Sequence, residues 1–86
     1  MEEYVVYILY SYTGKITYTG YSSCSIERFH WHNKKSNKGY TTRYRPWIMA
    51  HIEFYSSKQA AIDREKFLKT GIGRIWIKEN ILKRIL

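Results

Sequence analysis

Cysteine, proline and acidic residues are all scarce in this chain. Its 86 residues include one Cys, one Pro and only 7 Asp+Glu against 15 Lys+Arg. A lone Cys24 excludes a disulfide framework and any cysteine-rich zinc site. No apolar run approaches the ~20 residues that a membrane-spanning helix needs, so no membrane partner is expected. The N-terminus, Met1-Glu2-Glu3, carries carboxylates where a signal peptide would be basic, and a cytoplasmic location is the expectation. Glycine-rich phosphate loops are missing too. Thr70-Gly71-Ile72-Gly73 is not followed by the Gly-Lys-Ser/Thr of an NTPase loop, which excludes that chemistry.

What the chain has in quantity is aromatic side chains and positive charge. Nine Tyr, 3 Trp and 3 Phe make up 17% of the residues. That content rules out disorder and provides the core of one small domain spanning residues 1–86. The formal net charge is +8, and it is unevenly spread. After Glu27 the next carboxylate is Glu53, and between them stand Arg28, Lys34, Lys35, Lys38, Arg43 and Arg45. A stretch of one sign fits a polyanion, above all nucleic acid, with Lys34, Lys35, Lys38, Arg43 and Arg45 as its contacts. A solvated, solubilising surface is the plainer alternative.

Apolar patterning gives the elements. Tyr4 to Tyr10 is continuously apolar, short, and rich in β-branched and aromatic residues, which describes a central strand covered on both faces. Ser11-Tyr12-Thr13-Gly14 reads as a turn, and Lys15 to Tyr21 alternates, completing a β-hairpin. Its register depends on the turn. A turn centred on Tyr12-Thr13 sets Tyr7 directly opposite Tyr18, whereas one centred on Thr13-Gly14 sets Tyr7 against Gly20.

Ser22 and Ser23 offer N-caps for a helix to about Lys35, with Ile26, Phe29 and Asn33 on one face and Arg28 and His32 on the next stripe. Residues 36–46 form a loop, and Trp47 to Tyr55 a third strand. Ser56-Ser57-Lys58-Gln59 matches a capping box for a second long helix, with Gly71 as its stop. Ile75, Trp76, Ile77 and Ile81 then form the apolar side of a last short helix. The order β-β-α-β-α-α gives an α+β domain, a three-stranded antiparallel sheet flanked by helices.

Glu65 is the most informative carboxylate. At about 100° per residue it projects between Ala61 and Ile62, beside the apolar stripe of its helix. A carboxylate there either pairs with a cation, Arg64 or Lys69, or ligates a metal. His30, His32 and His51 do not make a zinc set, and Trp31, Trp47 and Trp76 read as core or interface anchors.

One ordered set draws these residues together: Tyr7, then Tyr18-Thr19-Gly20, then Arg28 and His32, then Glu65, then Asn80. It resembles the GIY-YIG nuclease family over nearly the whole chain, and looks closest to its small stand-alone bacterial members. Lys38-Gly39-Tyr40-Thr41-Thr42-Arg43-Tyr44-Arg45-Pro46-Trp47 and Arg64-Glu65-Lys66 carry the likeness to that subgroup. Two departures stand out: the first triplet, Val5-Val6-Tyr7, lacks its glycine, and the second has Thr19 in place of Ile.

The resemblance implies metal-dependent hydrolysis of DNA phosphodiesters. Glu65 becomes the sole carboxylate ligand of one Mg²⁺ or Mn²⁺, and Tyr7 and Tyr18 bind or activate the attacking water. Arg28 holds the scissile phosphate, and His32 and Asn80 orient water, phosphate or neighbouring side chains. The chemistry is coherent, because Mg²⁺ is commonly held by one or two carboxylates plus waters, and two-metal sites muster more acids than this chain offers. The planar guanidinium of Arg28 suits a phosphate. A phenol with an ordinary pKa of ~10 is mostly protonated at neutral pH. Either nearby positive charge activates it or it only orients the water, and the sequence leaves both open.

The implied partner is duplex or branched DNA, with other proteins supplying specificity and the chain acting as a monomer or weak homodimer. Two other functions compete. One is a non-catalytic nucleic-acid-binding module that keeps the fold, motivated by the altered first triplet. The other is an interaction subunit, for which an exposed Trp76/Ile77 patch would be the sign.

Overall fold

The continuous apolar run does form a buried central strand. In the computed structural model, which describes residues 4–23 and 44–86, β1 is Tyr4–Ser11, β2 is Ile16–Ser22 and β3 is Ile48–Tyr55. The expected helix from Ser22 or Ser23 to Lys35 and most of the basic loop lie outside the described residues. The sheet has the order β2-β1-β3 with both pairings antiparallel. Because β1 lies in the middle, every residue from Val5 to Ser11 is buried. Val6 and Ile8 pack with Ala61, Leu68, Ile77 and Ile81 from the helices. Val5, Tyr7 and Leu9 face the other way and cluster with Trp47.

The hairpin takes the second of the two registers. Its loop, Tyr12 to Lys15, is centred on Thr13-Gly14, and Tyr7 is paired with Gly20. The left-handed position is not the glycine but Lys15, at φ 55°. Ser11 holds it there from both of its oxygens. Its carbonyl accepts the Lys15 N–H at 2.7 Å and its Oγ accepts the Gly14 N–H at 3.0 Å.

Helix α1 is Lys58–Leu68, α2 is Gly71–Ile77, and a π-helical turn, Lys78–Leu82, leads into α3, Lys83–Ile85. The Ser56–Gln59 capping box does not form. Ser57 is the N-cap, its Oγ accepting the Ala60 N–H at 3.3 Å, and Gln59 turns along the helix to donate to Asp63 at 2.8 Å. Nor is Gly71 a stop. The Thr70 hydroxyl donates to the Phe67 carbonyl of α1 at 2.6 Å and accepts the Gly73 N–H of α2 at 3.1 Å, so one side chain ends one helix and caps the next. Gly71 is therefore the first residue of α2. In the last segment Ile77 and Ile81 are buried as expected, but Ile75 is 59% exposed, and Trp76 is half-buried, so a Trp76/Ile77 patch is not presented to solvent.

A charged cluster ties β3 to the helices on the same side of the sheet as Val6. Arg64 of α1 donates from Nε and Nη2 to the two carboxylate oxygens of Glu53 at 2.9 and 3.1 Å. Tyr55 donates to Glu53 at 2.7 Å and the His51 ring lies 2.9 Å from it. The Arg64 guanidinium also sits 4.6 Å from the centre of the Trp76 ring, a cation–π contact that brings α2 into the cluster.

Burial alone would push the Glu53 carboxyl up. The hydrogen bonds from Arg64, Tyr55 and His51 outweigh it and hold the pKa at about 2. A lowered native pKa means stability that is complete above the ordinary value of 4.5 and is lost as pH falls toward 2. The expected loss across that window is about 2 kcal/mol, scaled down for a partly exposed group. Urea unfolding at a series of acid pH values measures it, and Glu53→Gln should flatten that part of the profile.

Candidate active site

Tyr7 and Tyr18 stand on the sheet face turned away from the described helices, in the cluster with Val5, Leu9 and Trp47. Tyr18 pairs with Leu9 and Tyr7 with Gly20, so the two phenols are diagonal rather than opposite. Diagonal side chains on adjacent strands lie ~7–8 Å apart, within reach of aromatic rings. The rings close that gap to 6.5 Å between centroids, with 23° between their planes. Trp47 meets Tyr18 edge-on at 6.2 Å and fixes the second ring from the side.

Gly20 makes the pair possible. A Cβ at this position would lie 2.6 Å from Tyr7 Oη, 2.8 Å from its Cζ and 3.3 Å from Tyr18 Cε1. The space that a side chain would fill is taken by the Tyr7 phenol itself, which is 1% exposed. The missing glycine of the first triplet has no such consequence, because Val5 and Val6 sit in regular, buried positions of β1.

Glu65 lies on α1 with its side chain 17% exposed and its carboxylate 3.4 Å from Lys69 Nζ, one turn on. Of the two partners expected from the sequence, Lys69 is the one it takes. Arg64 is drawn instead to Glu53 on β3. The Lys69 side chain is 54% exposed.

Beside this pair a cleft of about 590 Å³ runs between β2 and the α1–α2 corner, lined by Lys15 to Thr19, Leu68, Lys69, Arg74, Ile77 and Leu82. Lys69, the partner of Glu65, forms part of one wall and the edge strand β2 the other, while the Tyr7 and Tyr18 rings lie on the opposite face of the sheet.

The remaining expected residues fare differently. Asn80 is exposed on the π-helical turn, and its amide donates to the Trp76 carbonyl at 3.0 Å, so it is held by its own helix. Arg28 and His32, and with them Lys34, Lys35, Lys38 and Arg43, lie outside the described residues. Arg45 is half-buried, two residues before Trp47. The cleft cations Lys15 and Arg74 were not marked for binding by the sequence, because they are separated by 59 positions and belong to no charge run.

Among the described residues no group of three or more His, Cys, Asp or Glu comes together. The donor set around Glu65 is thus one shielded carboxylate beside an open cleft. That is lean for zinc but suits a hard cation that keeps waters and takes its other oxygens from a phosphate.

Comparison with known proteins shows the family. Residues 3–78 match the family model described as the GIY-YIG catalytic domain. The chain is 34% identical over 70 residues to the UPF0213 protein of Staphylococcus aureus strain Mu3, a match covering 81% of this chain and 84% of the relative. UPF0213 proteins of strains N315 and MW2 match equally, at 34% identity and the same coverage.

Proposed function

The chain belongs to the GIY-YIG family and has its nuclease-type fold, and on that premise we propose that it is an endonuclease that nicks DNA by hydrolysing a phosphodiester with one Mg²⁺ or Mn²⁺ ion. The observation that carries this reading is the stacked Tyr7–Tyr18 pair over Gly20, reproduced with Glu65 in the family's order. Bound at Glu65, the divalent ion supplies Lewis-acid stabilisation of the negative charge that develops on the phosphate. Lys69 must first swing off the carboxylate. An exposed pair at this helical spacing is worth only ~0.3–0.5 kcal/mol, a small hindrance.

The other roles fall to the chain's own side chains. Tyr7 and Tyr18 orient the attacking water with their hydroxyls, and its proton passes to a tyrosine only where that phenol has first lost its own. Arg28 holds two phosphate oxygens with its planar fork. His32 and Asn80 orient the groups around them, Asn80 from a side chain already fixed on its helix. Lys34, Lys35, Lys38, Arg43 and Arg45 contact the backbone of duplex or branched DNA.

A supercoiled-plasmid assay with Mg²⁺, Mn²⁺ and EDTA tests the reading. Metal-dependent conversion to open circles is the expected result. No conversion, with DNA still bound in a gel shift, would replace it with the non-catalytic binding module. Gly20→Ala gives a second test. Its methyl displaces the Tyr7 hydroxyl, and a misplacement of about 1 Å costs ~10²-fold in rate. Nicking should fall by that order with the DNA Kd within about threefold of wild type; undiminished nicking would remove the tyrosine pair from the mechanism.

A further inference from the structure

We infer that Arg74, Lys78 and Lys83 form a second DNA-backbone surface, a row of cations along the C-terminal helical segments, separate from the basic run between Glu27 and Glu53. This goes beyond the nuclease reading and takes from it only that the partner is DNA. The charge itself stands in the sequence. After Glu65 come Lys66, Lys69, Arg74, Lys78, Lys83 and Arg84, against one acidic side chain, Glu79. Intervals of four and then five residues match no single helical repeat, so the sequence does not reveal the row.

The main chain aligns it. The Arg74 N–H bonds to the Thr70 carbonyl at 2.9 Å, the Lys78 N–H to the Arg74 carbonyl, and the Lys83 N–H to the Lys78 carbonyl. Each cation therefore stands one turn above the last. The final step is made by the π-helical turn, which closes over five residues instead of four, and such turns recur at functional sites. In an unbroken α-helix Lys83 would be rotated about 140° away from Lys78. The same turn keeps the row free of its acidic neighbour. Glu79 precedes Lys83 by four residues, a favourable pair on an α-helix, yet the two form no ion pair here.

All three cations are exposed, and none has a carboxylate within ion-pairing distance among the described residues. A solvated face ordinarily mixes both signs. A column of cations alone, one to a turn, instead suits a polyanion with regularly spaced charges. The row rises by about 11 Å, over which one DNA strand presents about three phosphates along the duplex axis. Its first member also lines the cleft beside β2, where Lys15 and Lys69 join it. The positive surface thus continues round the α1–α2 corner to the edge of the sheet.

Binding in EDTA tests the surface without cleavage. Affinity of the full chain for a labelled DNA duplex is measured over a range of NaCl for wild type and for the triple variant Arg74→Gln, Lys78→Gln, Lys83→Gln. The control is Lys58→Gln, Lys66→Gln, Arg84→Gln, which removes equal charge from exposed positions outside the row. None of the six side chains makes a hydrogen bond or ion pair among the described residues, so both variants should melt within a few degrees of wild type. The row variant should flatten the log–log salt slope by about 2–3, or ~0.9 per phosphate contact, and the control by less than ~1. Equal slopes in the two variants overturn the proposal, even where the plasmid is nicked. The nuclease reading fails separately, if nicking is absent while the slopes differ as expected.

A second comparison tests the alignment. Lys83 and Arg84 are adjacent and equally charged, but they point about 100° apart on the helix. Lys83→Gln should flatten the slope by ~0.9, and Arg84→Gln by less than about half of that. Equal changes would mean that net charge alone matters and would overturn the row.

Discussion

Glu65→Ala should remove metal-dependent nicking, by ~10³-fold or more, and leave the fold intact. The loss follows from the donor set. If one carboxylate holds the ion, nothing nearby replaces it, since no other cluster of acids, histidines or cysteines forms among the described residues. The Lewis-acid contribution is several kcal/mol, and each 1.36 kcal/mol is a factor of ten in rate. The fold survives because the carboxylate's partner is the exposed Lys69 on the same helix, a contact that links no two elements. The melting temperature should therefore move by no more than a few degrees.

Lys69→Ala separates the catalytic role from the structural one. It breaks the same ion pair, so a Glu65 that served only in that pair would make the two variants alike in every assay. The nuclease reading requires them to match in stability and to diverge by at least ~10²-fold in kcat. Any reduction in Lys69→Ala should appear in KM, because that lysine lines the cleft but is not the ligand. Wild-type turnover in Glu65→Ala would end the assignment.

How far the sequence reveals this site depends on the range of the interactions involved. β1 was legible because a short, unbroken apolar run that is rich in β-branched and aromatic residues has few other uses. The hairpin register was not, since Gly14 attracts the positive φ on steric grounds, while the structure assigns it to Lys15 through two bonds from Ser11. That shift decides the geometry of the site, because it places Gly20 rather than Tyr18 opposite Tyr7.

Glu65 could be placed beside the apolar stripe from helical spacing alone, but its partner could not. Arg64 and Lys69 compete for it locally. The contest is settled by Glu53, eleven residues away on β3, which draws Arg64 across to the sheet. The same limit hid Lys15 and Arg74, which line one cleft only when the α1–α2 corner folds onto the edge of β2. Ser57 rather than Ser56 as N-cap is a one-residue ambiguity between adjacent serines, the kind of boundary that short-range chemistry leaves undecided.

Two glycines two residues apart should respond in opposite directions to alanine. Both lie in the first turn of α2, and neither has a positive φ, so backbone strain does not separate them. Their surroundings do. A Cβ at Gly71 would meet nothing within 4 Å, whereas one at Gly73 would run into the Phe67 carbonyl and the Leu68 backbone. The obstruction at Gly73 is main chain at the end of α1, which cannot rotate aside as a side chain can. Accommodating the methyl means parting α1 from α2 at the corner held by Thr70, and with it the wall of the cleft that carries Arg74 and Ile77.

Overpacking of this kind costs roughly 3 kcal/mol, at the upper end of its usual range. For a domain of this size that lowers the melting temperature by about 12–24 °C. Gly71→Ala instead stabilises by roughly 0.4–1 kcal/mol, because it restricts only the unfolded chain. Thermal unfolding of the two variants side by side checks both signs. A Gly71 that really ended α1 in a left-handed conformation would give the reverse order, with Gly71→Ala the more damaging change. The order of the two melting temperatures therefore tests the α1–α2 corner itself, on which the geometry of the cleft depends.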